Sequence, residues 1–574
     1  MKSIFFTALL LVIVLVIVGA NKAFNKNPVK KGQWEKQDII SCGPSALELT
    51  TGDNGKFIPV LPGWGHHGYT ISTSNDSTQL YFNQGINFYY SYHFREALAS
   101  FKEAARFDPT CAMAYWGQAL SMGPYYNMYY YKMKKGVPAV LKLMNSYMPG
   151  ANEKEKGLIM AMQQRYSTDT TNADRSKLDS NYASAMFLLT KQYNTDDDIK
   201  ALYVDAVMLA HKWDFWNNNG KPKPWTTELV TLCEEILKRN SFHPAALHYY
   251  IHVTEASKHP ELALHSANVL KDVLPGVGHM VHMATHMYQR NGLFTKGVNV
   301  NEEANTANNQ VDSIAPHLGI GKNTILHIYA VQSYCAMNAG MYSKGMPVYM
   351  RARNRLLDLR PDIEKDAYSQ YIYMMPVIAW VRLGRWQQIV QSPAPDAKWK
   401  YALVLDDFAR GLAHVHSKNL KAANLCLKNI ELNMNDSLLA VREMPFNKPV
   451  QCAGIAAGIL KGELLNAEGR GSEAVAALRQ AVAEEDELIY REPQEWLIPA
   501  RQYLGAVLLQ MNRPKEAEDV YREDLIANPG NGWSLLGMYN SLLAQNKITV
   551  AAKFKTGYIK AFKDADVKPL ASVF

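Results

Sequence analysis

Histidine recurs at matching positions of two consecutive 34-residue windows, and no other feature of the chain constrains its fold as much. The first window, Pro244 to Val277, contains ALHYYIHVTEAS, and the second, Gly278 to Val311, contains HMVHMATHMYQR. His248 and His282 are 34 residues apart, and so are His252 and His286 and the flanking Leu247 and Val281. That period belongs to a helix–turn–helix unit that cannot bury its apolar face alone. Such units stack with their first helices side by side. Residues i and i+4 share a helix face. The spacing therefore predicts four imidazoles converging on one patch between neighbouring helices, with His279 one turn before His282.

A ruler laid from Thr78 supports the unit. Gly85 falls at position 8, Phe88 at 11, Ala97 at 20, Phe101 at 24, Ala104 at 27 and Pro109 at 32. Small residues at 8, 20 and 27 allow close helix approach. The large ones fill the space between helices, and the proline stops the second helix. This is the pattern of the tetratricopeptide repeat (TPR). It returns at Gly411, Ala423 and Leu427, at Gly462, Ala474, Leu478 and Ala481, and at Gly505, Ala517, Tyr521 and Pro529. No long strand-like alternation is present. The expected fold is an all-α, TPR-type helical-hairpin solenoid. Its expected divisions are residues 1–20, an irregular segment 21–76, TPR-like helices 77–243, histidine-rich central repeats 244–330 and TPR-like helices 331–574.

At 574 residues and 48% hydrophobic content the chain can bury a large core. The net charge of +8 is spread among 53 acidic residues with no basic stripe, which argues against a nucleic-acid partner. Lys2, the apolar run Ile4 to Val18 and the small Gly19 and Ala20 read as an export signal or N-terminal membrane anchor. Membrane contact is expected only through that segment, and the expected location is the cell envelope. The six cysteines include no C-x-x-C pair and read as buried small residues.

Several longer stretches carry a resemblance. FKEAARFDPTCAMAYWGQALSMGPYYN, HPAALHYYIHVTEASKHPELAL, GHMVHMATHMYQRNGLF, REPQEWLIPARQYLGAVLL and YREDLIANPGNGWSLLG resemble segments of a group of largely uncharacterised bacterial TPR proteins with a histidine-rich centre. The likeness runs from about Gly65 to Gln545. It implies the repeat fold and this layout, and no reaction or substrate. The group's second histidine helix reads H-M-P-S-H. His282 and His286 match it, while Ala284 and Thr285 replace its proline and serine.

In TPR proteins, positions 2, 5, 9, 12 and 13 of the first helix face the concave groove where ligands bind. Counting Pro244 and Gly278 as position 1 puts His248 and His282 at 5, His252 and His286 at 9, His279 at 2 and Glu255 at 12. His327, on a later helix, can approach from the next layer. Three readings stay open. His248, His252, His282 and His286 could hold a transition metal such as zinc or copper, with Glu255 orienting a ligand or acting as a base. The groove could bind a protein, peptide or small ligand through imidazole hydrogen bonds. The rings could also serve structure alone. A metal-dependent enzyme using the same cluster is the alternative of a different class. Met280, Met283 and Met287 lie about 100° around the helix from the histidines they neighbour and read as core.

Other candidates carry less. The aromatic loop Trp213 to Trp225 could cap the groove. His66 and His67 beside Trp64 could fold back over it. Glu492, Trp496 and Arg501 read as packing at a repeat entry. His414 and His416 face different ways, and His93 lies in a turn. Asp196, Asp197 and Asp198 read as a helix cap.

Overall fold

The repeat begins with a contact between a small and a large residue. Gly85 and Gly117 both press on the ring of Phe101. A Cβ at either would come within 2.7 and 2.4 Å of that ring. Gly505 and Gly537 hold Tyr521 in the same way, each 2.3 Å from where a Cβ would meet it. The spacing from glycine to aromatic to glycine is identical in the two places, so one packing rule operates near both ends of the chain.

In this computed structural model the described residues are 49–52, 55–128, 131–167, 174–318, 321–360, 362–441 and 447–574. The export signal or anchor expected at residues 1–20 lies outside them. Among the described residues no helix is long and apolar enough to cross a membrane.

The first helices are α1 (Asp76–Tyr90), α2 (Phe94–Phe107), α3 (Ala112–Met122), α4 (Val137–Tyr147), α5 (Glu153–Gln164), α6 (Arg175–Gln192), α7 (Asp197–Ala210) and α8 (Thr226–Arg239). The centre is α9 (Pro244–Thr254), α10 (Leu264–Val273), α11 (Gly278–Arg290), α12 (Phe294–Ile314) and α13 (Gly321–Asn338). Further along are α14 (Met346–Leu359), α15 (Ala367–Arg382), α16 (Trp386–Gln391), α17 (Lys400–His416), α18 (Leu420–Asn433) and α19 (Ser437–Val441). The last are α20 (Pro449–Ala467), α21 (Gly471–Asp486), α22 (Ala500–Gln510), α23 (Pro514–Ala527), α24 (Gly532–Ala544) and α25 (Ile548–Ala561). Nearly every helix packs on the next in sequence, and alternate helices touch, as in an α-solenoid. The described residues form no strand, only an isolated bridge between Trp216 and Pro222. The all-α solenoid expected from the ruler is the fold observed.

The hairpin turns use one device. A residue with positive φ ends the first helix of the pair: Gly292, Gly340, Gly384, Lys418, Gly469, Asn512 and Asn546. The α1–α2 turn instead has Tyr92 there, at φ 57°. Cβ crowding makes that conformation costly for a large residue.

Two apolar cores follow one another, from Ile58 to Leu318 and from Phe294 to Ala551. The five described cysteines are free and buried, as expected. The irregular segment before α1 is strapped to it. Leu61, Tyr69 and Ile71 donate backbone N–H groups to the side chains of Gln84, Asn83 and Gln79, at 2.9, 3.1 and 3.0 Å.

The solenoid closes on itself at the centre. Arg290, the last residue of α11, donates to the carbonyls of Glu255 (3.1 Å), Ser257 (2.9 Å) and Ala527 (2.9 Å). Gly292 lies so close to Gly530 that a Cβ would come within 2.3 Å of its carbonyl. Asn218, in the aromatic loop, donates to the carbonyl of Glu487 at 3.3 Å. The concave side of the central repeats is therefore covered by residues from the end of the chain.

Candidate metal centre

That closure corrects the expected open groove. His248, His252, Glu255, His279, His282, His286 and His327 are all buried, none more than 3% exposed. They face an interior.

The helix α9 starts at Pro244, whose missing N–H costs nothing in the first turn, after His243 as cap. His243 Nδ1 accepts the N–H of Ala246 at 3.3 Å. His248 and His252 lie one turn apart on this helix, and Glu255 caps its C-terminal end. The helix α11 carries His279, His282 and His286 along one face. Met280, Met283 and Met287 are in the apolar core, as their helical offset requires.

All seven residues come together, but not as one four-histidine patch. The side chains of His248, His252 and His279 each place a ligand-capable nitrogen within 4.8 Å of the other two, and so do those of His282, His286 and His327. The expected set of His248, His252, His282 and His286 is therefore split. Each cluster takes two rings from one helix and its third from the next layer. His279 and His327, expected as auxiliaries, are the third members.

Hydrogen bonds fix several tautomers. His248 Nδ1 meets the Tyr90 carbonyl at 2.7 Å. A carbonyl only accepts, so Nδ1 carries the proton, and Nε2 of the neutral ring presents a lone pair. His282 Nδ1 meets Asn301 Oδ1 at 2.6 Å, and Asn301 Nδ2 donates to the Gly297 carbonyl at 2.8 Å, which fixes the amide's orientation. His282 Nε2 is likewise a lone pair. His252 Nδ1 lies 3.0 Å from Glu255 Oε1, and His286 Nδ1 lies 2.7 Å from Glu255 Oε2. One carboxyl thus serves a ring in each cluster.

The inner nitrogens face each other. His279 Nε2 is 3.2 Å from His248 Nε2, and His286 Nε2 is 3.2 Å from His282 Nε2. His252 Nε2 and both nitrogens of His327 are buried with no hydrogen-bond partner. Two nitrogens bound tetrahedrally to one ion at about 2.0–2.1 Å stand about 3.3 Å apart. The outer nitrogens of His248, His252, His282 and His286 are held by carbonyl, carboxylate and amide oxygens, the arrangement that orients metal-binding imidazoles.

Burial holds all six imidazoles below the ordinary histidine value. His252 falls to about 3, and His282 to about 4 despite its bond to Asn301. His248, His279, His286 and His327 lie well below it, for burial first and neighbouring rings second. Neutral rings are the form a metal needs. Burial raises the carboxyl of Glu255 well above its usual range, against the pull of Arg491 and Arg290. Glu492 is raised by burial and then by the charge on Glu255. Glu255 accepts from a ring in each cluster.

From its place at a repeat entry Glu492 is expected to pack. The structure brings its Oε1 to 3.4 Å from His286 Nδ1. No sequence motif marks Asn301 or the Tyr90 carbonyl. The aromatic loop does reach the centre. Trp213 stands edge-on to His252 with ring centroids 5.8 Å apart, and Trp216 Nε1 donates to the Val253 carbonyl at 2.6 Å. A cavity of about 210 Å³ adjoins it, bordered by Trp213, Trp216, Arg290, Tyr490, Arg491 and Trp496.

The remaining candidates stay outside. His67 Nε2 meets Asp198 Oδ1 at 2.8 Å, and His243 Nε2 lies 3.5 Å from the same oxygen. Since His243 Nδ1 accepts a backbone N–H, its proton sits on Nε2, facing Asp198. His243 therefore turns an N–H, and no lone pair, toward Asp198. Asp196 caps α7, accepting the N–H of Ile199. His93 pairs with Glu96 at 3.1 Å, and His416 stacks on Trp386.

No protein-family profile and no curated protein matches the chain. Solved structures give distant likenesses. The chain is similar to the yeast Tom70 crystal structure at 11% identity, covering 83% of this chain and 92% of that one, with a TM-score of 0.29. Human IFIT1, as a dimer with m7Gppp-AAAA, aligns at 9% identity over 85% and 90%, with a TM-score of 0.30. The APC/C hetero-tetramer Cut9-Hcn1 aligns at 11% over 86% and 95%, with a TM-score of 0.27. At such scores nothing about ligand or partner follows from them.

Proposed function

We propose that this chain is a TPR-type repeat protein that binds a transition-metal ion, such as zinc or copper, in its closed central interior. One observation carries the reading. His282 Nε2 and His286 Nε2 face each other at 3.2 Å, the outer nitrogen of each ring is held by an oxygen, and both nitrogens of the adjacent His327 lack any partner. Facing lone pairs repel. A proton on one Nε2 relieves that contact but leaves His327 unsatisfied at a cost of roughly 1–3 kcal/mol per buried group. A metal ion takes the three inner nitrogens together, one of the two on His327 among them. Elemental analysis of the full chain purified without chelator tests the reading. Transition metal retained through desalting supports it, and none retained after exposure to zinc or copper sinks it.

A second reading, metal-dependent catalysis or ligand binding at the metal, is favoured by the adjoining cavity. Three imidazoles leave a fourth position for water or ligand. Glu492 Oε1, at 3.4 Å from the outer nitrogen of His286, backs that ring on the side away from the ion. Under this reading a peptide or small ligand enters beside Trp213 and Trp496. A ligand whose binding disappears in both Trp496→Ala and the metal-free protein would support it. Binding unchanged in both would oppose it.

The proposal extends to location. Lys2 and the apolar run Ile4 to Val18 support export, with the repeats held in the cell envelope. A phosphatase fused after residue 40 should be active outside the cytoplasm, and activity confined to the cytoplasm would refute this.

A further inference from the structure

The centre contains a second cluster as complete as the one just used. His248 Nε2 faces His279 Nε2 at 3.2 Å, and the partnerless Nε2 of His252 lies beside them. His248 Nδ1 is committed to the Tyr90 carbonyl, so its inner nitrogen is a ligand atom in any neutral form. The two triads share no ring, and the rings nearest each other across the divide, His252 and His286, have centroids 5.9 Å apart. Both turn their outer nitrogens to the two oxygens of Glu255.

We infer that the interior holds two metal ions in two three-histidine sites, His248–His252–His279 and His282–His286–His327, joined through the Glu255 carboxylate. The inference rests on the metal-binding reading and deepens it. The carboxylate lies in the outer shell of both ions and ligates neither. An ion in one site makes its imidazole a stronger Nδ1–H donor and draws charge to one oxygen of Glu255. The other oxygen accepts from the ring of the other site, so each ion's charge is felt across Glu255 at its neighbour.

The two sites differ in their walls. The first is enclosed by aromatic rings. Tyr92 lies 4.6 Å from His248 between centroids and stacks on His252 and His279 at 5.8 and 6.1 Å, while Tyr126 lies 5.1 Å from His252. The second has the Glu492 carboxyl and the amide of Asn301 at its edge. The first site suits a closed three-coordinate ion.

Cobalt(II) titration of the metal-free full chain, read by visible absorption and native mass spectrometry, tests this. Two ions per chain with two distinct spectra are expected. The pair His248→Ala with His279→Ala should leave one ion with the second site's spectrum. His282→Ala with His327→Ala should leave the other. Should either pair fail to fold, copper(II) loading of the unaltered chain decides, with two superposed paramagnetic signals expected. Glu255→Gln offers one acceptor oxygen in place of two and should weaken binding about 10–100-fold while keeping both spectra. A single ion lost by both paired variants would overturn the two-site inference and leave the metal reading standing. No ion at all would overturn both.

Discussion

The two histidine windows are the same in register and different in surroundings. Window 244–277 places His248 and His252 against the Tyr90 carbonyl of α1, the Tyr92 ring in the turn after it and Tyr126 beyond α3. Window 278–311 places His282 and His286 against Asn301 of α12 and Glu492 from far along the chain. The repeat fixes where the rings project. What they meet is decided by how the ends of the solenoid fold over the centre. Equivalent positions in a repeat are thus equivalent in direction and not in chemistry. Glu255, at the end of α9, is the element the two environments share.

Acid should produce the largest effect. All six imidazoles have folded values below the ordinary 6.5, so the unfolded chain binds more protons than the folded one between the two values. Stability is complete above about pH 6.5 and falls as pH drops through that window, toward about 4 for His282 and about 3 for His252. Each such ring removes about 1.4 kcal/mol per pH unit. The metal-free protein should therefore lose more than roughly 10 °C in Tm between pH 7.5 and 5. Removing the rings of one cluster should reduce the slope. A slope unchanged by loss of either cluster would show that neither is held neutral by burial.

Next in size is Glu255→Ala, which strands an Nδ1–H in each cluster. It should cost roughly 3–5 kcal/mol by denaturant melts, since it removes one partner of a buried charged network. Asn301→Ala reaches only the second cluster and should cost roughly 1–3 kcal/mol. If Asn301→Ala disturbed the first site's cobalt spectrum and spared the second's, the assignment of environments would be broken.

Tyr92 bounds the first environment alone. Tyr92→Gly frees a turn position that favours glycine and deletes a ring stacked on two histidines. The gain in backbone ease, about 1 kcal/mol, offsets only part of the roughly 3–5 kcal/mol lost with a fully buried ring. Metal affinity should fall at the first site alone. Tyr92→Phe, which keeps the ring, should leave both sites intact.

Much of this was legible in the sequence. The 34-residue ruler found the helical hairpins, and Gly85, Phe101, Gly505 and Tyr521 do what their repeat positions demand. Six of the seven site residues were named from spacing, because i, i+4 and period-34 relations are local properties of a stacked helix, and His327 only from its place on a later helix. The grouping was not legible. It depends on the stagger between neighbouring first helices, which brings position 2 of one opposite positions 5 and 9 of the other. Closure of the groove was hidden as well. Arg290 meeting Ala527, and Gly292 meeting Gly530, depend on curvature accumulated over many repeats. Glu492 joined the centre through that curvature, and no local pattern marked it.

X-ray absorption of the zinc-loaded full chain at the zinc edge tests the central claim most directly. The account predicts a first shell of nitrogen and oxygen only, at about 2.0–2.1 Å, with the multiple scattering of about three imidazoles per ion. Zinc that washes out on desalting, or a shell of oxygen or sulfur without imidazole scattering, would contradict it.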